Sequence, residues 1–307
     1  GNIDTDPLFI DPENSDYHLT ENSPCIDAGD PDLDGDGYTW EDDPDDQDSD
    51  GTRMDMGAYY FHPITPVHNI TQNTDYTTIQ LGIDNSSNGD TVIVDAGTYY
   101  ENITWPSTNG IKLIGSGQDN CIIDGNQTER VILFDNSEID STTLISGFTI
   151  QNGLGSTAGG GIRCVSSSPR IENIKISNNS APAGGGICCV TDSSPILTNV
   201  MITGNTATTT GDGGGIKCKN NSSPLLTNVT ISENEANNRG GGMYLSSHFN
   251  AILSNVTIRG NTTEYDGGGL YLEYSSNPIL TNMTISENGA KNGGGMYLIG
   301  STDPFLA

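Results

Sequence analysis

The sequence is poor in basic residues, in aromatic residues and in long apolar runs. Lys and Arg number 11 among 307 residues, against 40 Asp and Glu, and aromatic residues make up 7%. Nucleic-acid-binding proteins need clustered Lys and Arg to neutralise phosphates, so this balance argues against that class. No apolar run approaches the roughly 20 residues that span a bilayer, and the six cysteines show no CxxC spacing of the zinc-site kind. The net charge of −29 instead favours binding of cations, or solubility in a salty medium.

Gly, Asn, Ser and Thr are plentiful, and they recur in a fixed pattern. Triple glycines begin at positions 159, 184, 213, 240, 267 and 293, and each is followed by an apolar–any–apolar triplet such as MYL. Two columns of asparagine follow: Asn173, Asn199, Asn228, Asn255 and Asn282, then Asn179, Asn205, Asn234, Asn261 and Asn288. A phosphate-binding glycine loop would occur once, whereas this element occurs six times. Self-similarity at this period predicts a solenoid in which the glycines are structural.

The repeat predicts strands rather than helices. No long stretch has a 3.6-residue period, and each repeat holds short alternating runs broken by Gly, Asn and Ser-Pro. Strands that pair with their counterparts one repeat away form parallel sheets, wound into a β-helix with Leu, Val and Ile inside. We expect the glycines to allow tight bends. We expect the bend asparagines to adopt the left-handed conformation and to bond their neighbours one coil away, with Asn255 at an interior bend.

The expected fold is therefore all-β, a parallel solenoid with a short N-terminal capping helix, preceded by an irregular Asp-rich segment. The helix is predicted at about residues 77–85, where a short amphipathic segment before the first strand can cover the open end of the core. We count about nine coils. Stacked at roughly 4.8 Å, they make a rod on the order of 40 Å long.

The GGGI and GGGM runs are followed by I-x-x-N, at Ile231–Asn234, Ile258–Asn261 and Ile285–Asn288. This pattern resembles the GGAI and FxxN repeats of polymorphic outer-membrane proteins. More broadly, residues from about 75 to 307 are similar to pectin-lyase-like right-handed β-helices. The resemblance implies a right-handed winding and a secreted or cell-surface setting, commonly adhesive. It also implies relatives that are polysaccharide lyases and hydrolases.

Residues 1–62 differ from the rest, with 19 acids and a single base, Arg53. The runs DPLFIDPENSDYHLTENSPCIDAGD and DGTRMDMGAYYF resemble the closing segment of β-helix domains in large bacterial secreted proteins. That segment normally follows such a domain. We therefore expect residues 1–62 to close a preceding module, and residues 63–307 to form a β-helix that is incomplete at its C-terminal end. The expected partners are the continuation of a longer tandem array or further copies stacked end to end.

Eleven acids occupy the 21 residues from 30 to 50. Seven of them have calcium-loop spacing: Asp32, Asp34, Asp36, Asp43, Asp46, Asp48 and Asp50. The first four, with Gly37, fit the twelve-residue calcium loop except that Asp replaces Glu at the last place, and the other three begin an incomplete second copy. Carboxylates this dense repel one another unless a cation bridges them. The sequence predicts a calcium site here, with a solvated acidic linker as the alternative.

The repeats hold few candidates for catalysis. A glycosidase needs two carboxylates facing one groove, and a lyase needs calcium-binding acids beside an Arg or Lys base. The acids of the coils are scattered singly: Glu172, Asp192, Glu233, Glu264, Glu273 and Glu287. Arg163 and Lys217 occupy equivalent outward places two coils apart, with no acid cluster in their column. The sequence predicts no enzymatic activity, and a polysaccharide lyase or hydrolase of pectin-lyase-like fold is the alternative.

Two further columns cross the repeats. One is predicted to stack outward, where sugar rings or a partner protein could lie across the aromatic rings: Tyr244, Tyr271 and Tyr297. The alternative is that tyrosine suits an exposed strand and stacks on itself. The other replaces inward leucines and is expected to fill the core rather than to form disulfides: Cys164, Cys189 and Cys218.

These features together predict a non-catalytic, extracellular or cell-surface segment of a large bacterial surface or filament protein. Its expected role is that of an adhesin, a spacer or a fibre-forming module. Carbohydrate or the surface of a host or neighbouring cell is a further candidate partner. The sequence predicts no nucleic-acid partner and no membrane span.

Overall fold

The computed structural model describes residues 6–11, 16–29, 39–42, 47, 53, 65–209, 211–246, 250–274, 276–300 and 302–306. The chain divides into two compact units, residues 1–64 and residues 65–307. In the first unit, β1 (Phe9–Asp11) pairs antiparallel with β2 (Asp16–Leu19). Cys25 is buried there. That this unit closes a preceding module stays a prediction.

The second unit is built from short strands separated by bends, as the alternating runs predict. It begins with β3 (Val67–Asn69), β4 (Thr74–Tyr76), α1 (Ile79–Asp84), β5 (Thr91–Val94), β6 (Gly97–Tyr99), β7 (Ile103–Thr104), β8 (Lys112–Gly115), β9 (Cys121–Asp124), β10 (Ile132–Asp135), β11 (Leu144–Ser146) and β12 (Thr149–Gln151). It continues with β13 (Ile162–Val165), β14 (Arg170–Ser177), β15 (Ser180–Ala181), β16 (Ile187–Val190), β17 (Ile196–Thr203), β18 (Thr206–Ala207), β19 (Ile216–Cys218), β20 (Leu225–Ser232) and β21 (Glu235–Ala236). The last strands are β22 (Met243–Ser246), β23 (Ile252–Arg259), β24 (Thr262–Thr263), β25 (Leu270–Glu273), β26 (Ile279–Thr281), β27 (Thr284–Ser286), β28 (Met296–Ile299) and β29 (Phe305–Leu306).

Strands of successive coils pair in parallel and form three sheets. The eight-stranded sheet runs in the order β7-β10-β13-β16-β19-β22-β25-β28, and the four-stranded sheet in the order β15-β18-β21-β24. A sheet of 15 strands holds all the other strands of this unit, and β3 and β4 join it antiparallel. Equivalent positions of the repeat lie side by side, as Ile187, Ile216 and Met243 do. The described residues make about eight turns, close to the nine counted from the sequence, and the predicted parallel β-helix is confirmed.

The core is a column of apolar side chains inside the coils. Ile162, Ile187 and Ile216 occupy one register position and are buried. Two residues further along the strand, a second inward position is filled by thiols: Cys164, Cys189 and Cys218. These cysteines are free, so the expected core-filling role is confirmed. A hydrogen bond with the Cys189 thiol, together with burial, holds the pKa of Cys164 well above its ordinary value.

The helix α1 lies inside the predicted range and is the one helix in the part of the chain that the structure describes. The Thr78 hydroxyl accepts a hydrogen bond from the Leu81 N–H at 3.1 Å, which satisfies one free donor of the first turn. The Glu101 carboxylate accepts two more, from the N–H groups of Ile79 and Gln80, both at 2.9 Å. Ile79 and Ile83 are buried in the core. That α1 acts as the cap of the solenoid stays a prediction.

The triple glycines lie where neighbouring coils approach most closely. The first glycine of each triplet has a positive φ of 59° to 70°, a conformation that disfavours a side chain. At the second position, a Cβ on Gly160 would lie 2.5 Å from the Ser180 carbonyl oxygen and 2.6 Å from that of Gly185. No side chain fits at such a distance, so the prediction that these glycines are structural is confirmed.

The two asparagine columns differ in burial. In the first column each residue has a backbone φ of 52° to 56°. Each side-chain amide donates to its neighbour one coil earlier, for example Asn228 Nδ2 to Asn199 Oδ1 at 3.2 Å. This confirms the left-handed ladder. The expectation that Asn255 lies at an interior bend is wrong, because this column is exposed. Its side chains project from the outer surface of the 15-stranded sheet, because the left-handed backbone of each asparagine directs the amide outward.

The interior ladder is the second column. Asn179, Asn205, Asn234 and Asn261 are at most 1% exposed. The Asn205 Nδ2 donates to Asn234 Oδ1 at 2.9 Å and to the Ile176 carbonyl at 3.0 Å, and the Asn205 backbone N–H donates to Asn234 Oδ1 at 3.0 Å. Each buried amide therefore joins the coils on both sides of it.

Candidate functional site

The outer surface of the eight-stranded sheet carries the tyrosines that the sequence singled out. Its strands align one outward position of each coil into a single column: Arg163, Cys188, Lys217, Tyr244, Tyr271 and Tyr297. Successive side chains of a strand point to opposite faces, and the residues on either side of this position face the core. The column changes from basic to aromatic along the solenoid.

The three tyrosine rings form a continuous stack. Ring centroids of Tyr244 and Tyr271 are 5.4 Å apart with planes 6° from parallel, and those of Tyr271 and Tyr297 are 5.4 Å apart at 10°. The Lys217 ammonium lies 5.0 Å from the Tyr244 centroid, and the Arg239 guanidinium 5.2 Å from that of Tyr271. Both distances allow cation–π attraction. Both faces of the Tyr244 ring are therefore covered, one by Lys217 and the other by Tyr271.

A buried carboxylate ties the stack together. Glu273 accepts a hydrogen bond from the Tyr244 hydroxyl and a longer one, at 3.4 Å, from that of Tyr271. It also lies 3.7 Å from the Arg239 guanidinium. Tyr244 is 6% exposed and Tyr271 1%, so the rings point outward but are shielded from solvent. Burial and then the Glu273 bond raise the pKa of Tyr244, and burial raises the pKa of Tyr271 to about 12.

This geometry bears on the predicted ligand-binding role of the tyrosines. Stacking on one another, the alternative that the sequence left open, is observed. A sugar ring cannot lie on the covered faces of Tyr244 or Tyr271, so a ligand would contact ring edges. Binding at these residues stays a prediction. Sequence reasoning considered Glu273 only as a scattered acid and did not single out Arg239, because only the register of the coils brings these two residues to the rings.

The predicted calcium ligands Asp32, Asp34, Asp36, Asp43, Asp46, Asp48 and Asp50 all lie outside the described residues. Within the described ranges, no three His, Cys, Asp or Glu side chains are grouped in a way that could hold a metal ion. Calcium binding therefore stays a prediction.

Several ionisable groups on the coils are engaged in local pairs. The Lys217 ammonium lies 2.9 Å from the Asp212 carboxylate, and the Arg170 guanidinium 3.0 Å from that of Glu172. Asn221 Nδ2 donates to Asp192 at 2.5 Å. These contacts join residues of the same or adjacent coils, so they add to the side-chain ladders.

Comparison with known proteins agrees with this architecture. Residues 212–305 match the family model described as a right handed beta helix region. No curated protein matches the sequence. Among the described residues, no helix has the length and apolar character needed to cross a membrane. From its in-register coils and this match, the chain is a parallel β-helix repeat protein.

Proposed function

We propose that the chain is a rigid, non-catalytic β-helix segment of a large bacterial surface or secreted protein, acting as an adhesive or spacer module. The observation that carries this proposal is the pair of asparagine ladders that join successive coils from Asn173 to Asn288. A rod of this kind holds two ends, or a side surface, at a fixed distance from a cell.

The interior amide ladder supports the rod. Asn234 Nδ2 donates to Asn261 Oδ1 at 2.9 Å and to the Ile202 carbonyl at 3.0 Å, and its own Oδ1 accepts from the coil before. Buried amides that are fully bonded rigidify a structure, because breaking one leaves several polar groups unsatisfied. Bending the rod at a coil would require such a loss.

The outer column supports the same role. Asp212 and Glu273 pair with Lys217 and Arg239, which in turn lie over the tyrosine rings. The ion pairs fix these charged side chains in place, and their contacts with the rings link the coils of β19 to β25. Side chains used in this way stiffen the surface on which a partner would bind.

Calcium at the Asp-rich stretch belongs to this proposal. A cation bridging carboxylates between residues 32 and 50 would stiffen this segment of the chain, because bridged carboxylates no longer repel one another. A surface setting with abundant calcium would keep such a site filled.

An assay on acidic and neutral polysaccharides, with calcium and with chelator, tests the non-catalytic part. We expect no new reducing ends and no unsaturated products in either condition. Release of either product by the wild type, and its loss in a Glu273→Gln variant, would establish the lyase or hydrolase alternative instead.

A length exchange separates the spacer from the adhesin. The 65–307 unit is replaced in the full protein by an unrelated β-helix with the same number of coils, and attachment of the cells to their target surface is measured. Unchanged attachment identifies a spacer, and lost attachment identifies an adhesive surface on this unit. Unchanged attachment after deletion of the whole unit would contradict both roles.

A further inference from the structure

A cavity of about 350 Å³ opens on the outer face of the eight-stranded sheet, beside the basic part of the outward column. Its floor is formed by β13, β16 and β19, where Arg163, Cys188 and Lys217 are in register. Its rims are the bends before and after these strands, with Thr157 and Asn220 on opposite sides. The volume lies in the range of pockets for small ligands.

The charge of the cavity is opposite to that of the molecule. Three of the 11 basic residues line it, and no carboxylate is among its described lining residues. In a chain of net charge −29, three converging cations are unusual. Lys217 is paired with Asp212 outside the lining, whereas no ion pair involves Arg163 or Lys219 within the described ranges. Among the described residues, two of the three cations therefore have no carboxylate partner.

Arg163 is only partly satisfied. Its Nη1 donates to the Thr157 hydroxyl at 3.0 Å. Its Nε–H is buried and has no hydrogen-bond partner. A buried donor without an acceptor costs roughly 1–3 kcal/mol, and a guanidinium presents its Nε–H and Nη–H as a fork that fits an oxyanion with two oxygens. An oxyanion would supply both an acceptor for the guanidinium and a counter-charge.

Cys188 forms part of the floor and is 1% exposed. Its side chain lies between those of Arg163 and Lys217 in the register of the sheet. Burial raises the pKa of Cys188 to about 11, although three neighbouring cations act in the opposite direction. At neutral pH the group is therefore a thiol, which adds no negative charge to the site.

We propose that this cavity binds a small oxyanion, a carboxylate or a tetrahedral sulfate or phosphate group, between the Arg163 guanidinium and Lys219 Nζ, with the Cys188 thiol beneath it. The site goes beyond the proposed rod function, and it needs neither the tyrosines nor calcium. The rim is preformed, because Arg130 Nη1 holds the Ala158 carbonyl at 2.9 Å.

The test follows backbone amide chemical shifts of the full chain during titration with sodium sulfate, inorganic phosphate and succinate, at ionic strength held constant with sodium chloride. Saturable shifts at Arg163, Cys188 and Lys219 are expected with at least one of these anions. Shifts with sulfate and phosphate only identify a tetrahedral group, and shifts with succinate only identify a carboxylate. No saturable shift at these residues with any of the three overturns the proposal.

Variants make the test specific. Arg163→Gln and Lys219→Gln should each weaken binding by about tenfold or more, because each removes a charge-assisted hydrogen bond. Arg259→Gln removes the same charge from an exposed position on β23 and should leave the affinity unchanged. If Arg163→Gln does not fold, Lys219→Gln alone decides the outcome. An equal loss in Arg259→Gln, or no loss in Lys219→Gln, would mean that the anions bind by net charge alone.

Discussion

At the scale of the residue, the asparagines show what a repeat pattern can and cannot predict. Both columns recur once per coil, so the sequence predicts that both form ladders. Nothing in the spacing says which of the two faces inward, because burial depends on how the bend turns the side chain. The structure places Asn234 inside and Asn255 outside, each bonded to its counterparts.

Asn234→Leu tests the interior ladder. The substitution leaves the Asn205 backbone N–H and the Ile202 carbonyl without their partners inside the protein. We expect the free energy of unfolding to fall by about 1–3 kcal/mol for each buried group left unpaired. The measurement is chemical denaturation of the wild type and the variant.

Asn255→Gly is the matched control, because glycine keeps the left-handed backbone and the substitution removes only the hydrogen bonds of an exposed side-chain amide. Its loss of stability should be a few tenths of a kcal/mol to about 1 kcal/mol. Equal losses for the two variants would contradict the assignment of Asn234 to the interior ladder.

The tyrosine stack gives a second prediction at this scale. Tyr271→Ala removes a fully buried ring from the middle of the stack, together with its contact to Arg239 and its hydrogen bond to Glu273. We expect a loss of about 3–5 kcal/mol, the usual range for a buried aromatic residue. Tyr297→Ala, at a half-buried ring, should cost clearly less in the same denaturation experiment. The reverse order would show that the ring of Tyr271 is not packed as described.

At the scale of the element, the strands could be predicted because every coil gives them the same environment. The pattern Leu226-x-x-Val229-x-Ile231 places three apolar side chains of β20 inside, and all three are buried. The contacts between elements could not be predicted in this way. Arg239 lies in a bend before β22, yet it reaches a ring on β25, and only the stacking of the coils determines that contact.

The first strands of the solenoid contain a pH-dependent contact. His68 on β3 lies 2.7 Å from the Asp75 carboxylate and 3.2 Å from that of Asp95. The bond to Asp75, then that to Asp95, raises the pKa of His68. A raised pKa in the folded state means that the contact stabilises the fold fully below about pH 6.5, the unfolded value. This stabilisation is lost as the pH rises through the folded pKa.

His68→Gln should therefore lower the melting temperature at pH 6 and have a smaller effect at pH 8.5. The measurement is thermal unfolding of both proteins at the two pH values. Comparing the wild type with the variant at each pH cancels the contributions of titrating groups that the two proteins share. The effect should be modest, because the two carboxylates are exposed. A difference between wild type and variant that grows with pH would contradict the direction derived from the pKa.

At the scale of the whole molecule, calcium and self-association remain predictions. Titration calorimetry should show calcium binding at millimolar concentration or below, and replacing Asp34 and Asp36 by Asn should weaken it. Asp303→Asn, outside the acidic stretch, should not. The absence of a heat of calcium binding in the wild type would favour the solvated-linker alternative.

Light scattering with calcium and with chelator tests end-to-end assembly. We expect larger assemblies with calcium.

The fold was predictable at this scale because self-similarity overrides local ambiguity, and six copies of one pattern require one arrangement. The candidate site was not. Its tyrosines follow from the repeat, but the cavity near Cys188 depends on the two rims that enclose it, which belong to the irregular bends. Bends vary from coil to coil, so no pattern in the sequence describes the space between them.

Removal of one complete coil tests the central claim most directly, that the molecule is a one-dimensional stack of equivalent coils. Residues 214–240 span 27 residues, the separation of Asn234 and Asn261 in the ladder. Their deletion joins Gly213 to Gly241 and brings the strands on both sides into register. Because each coil contacts only its neighbours, circular dichroism should show intact β-structure and cooperative thermal unfolding at a slightly lower temperature. Deletion of residues 214–226, half a coil, should abolish folding, and a whole-coil deletion that is equally unfolded would contradict the account.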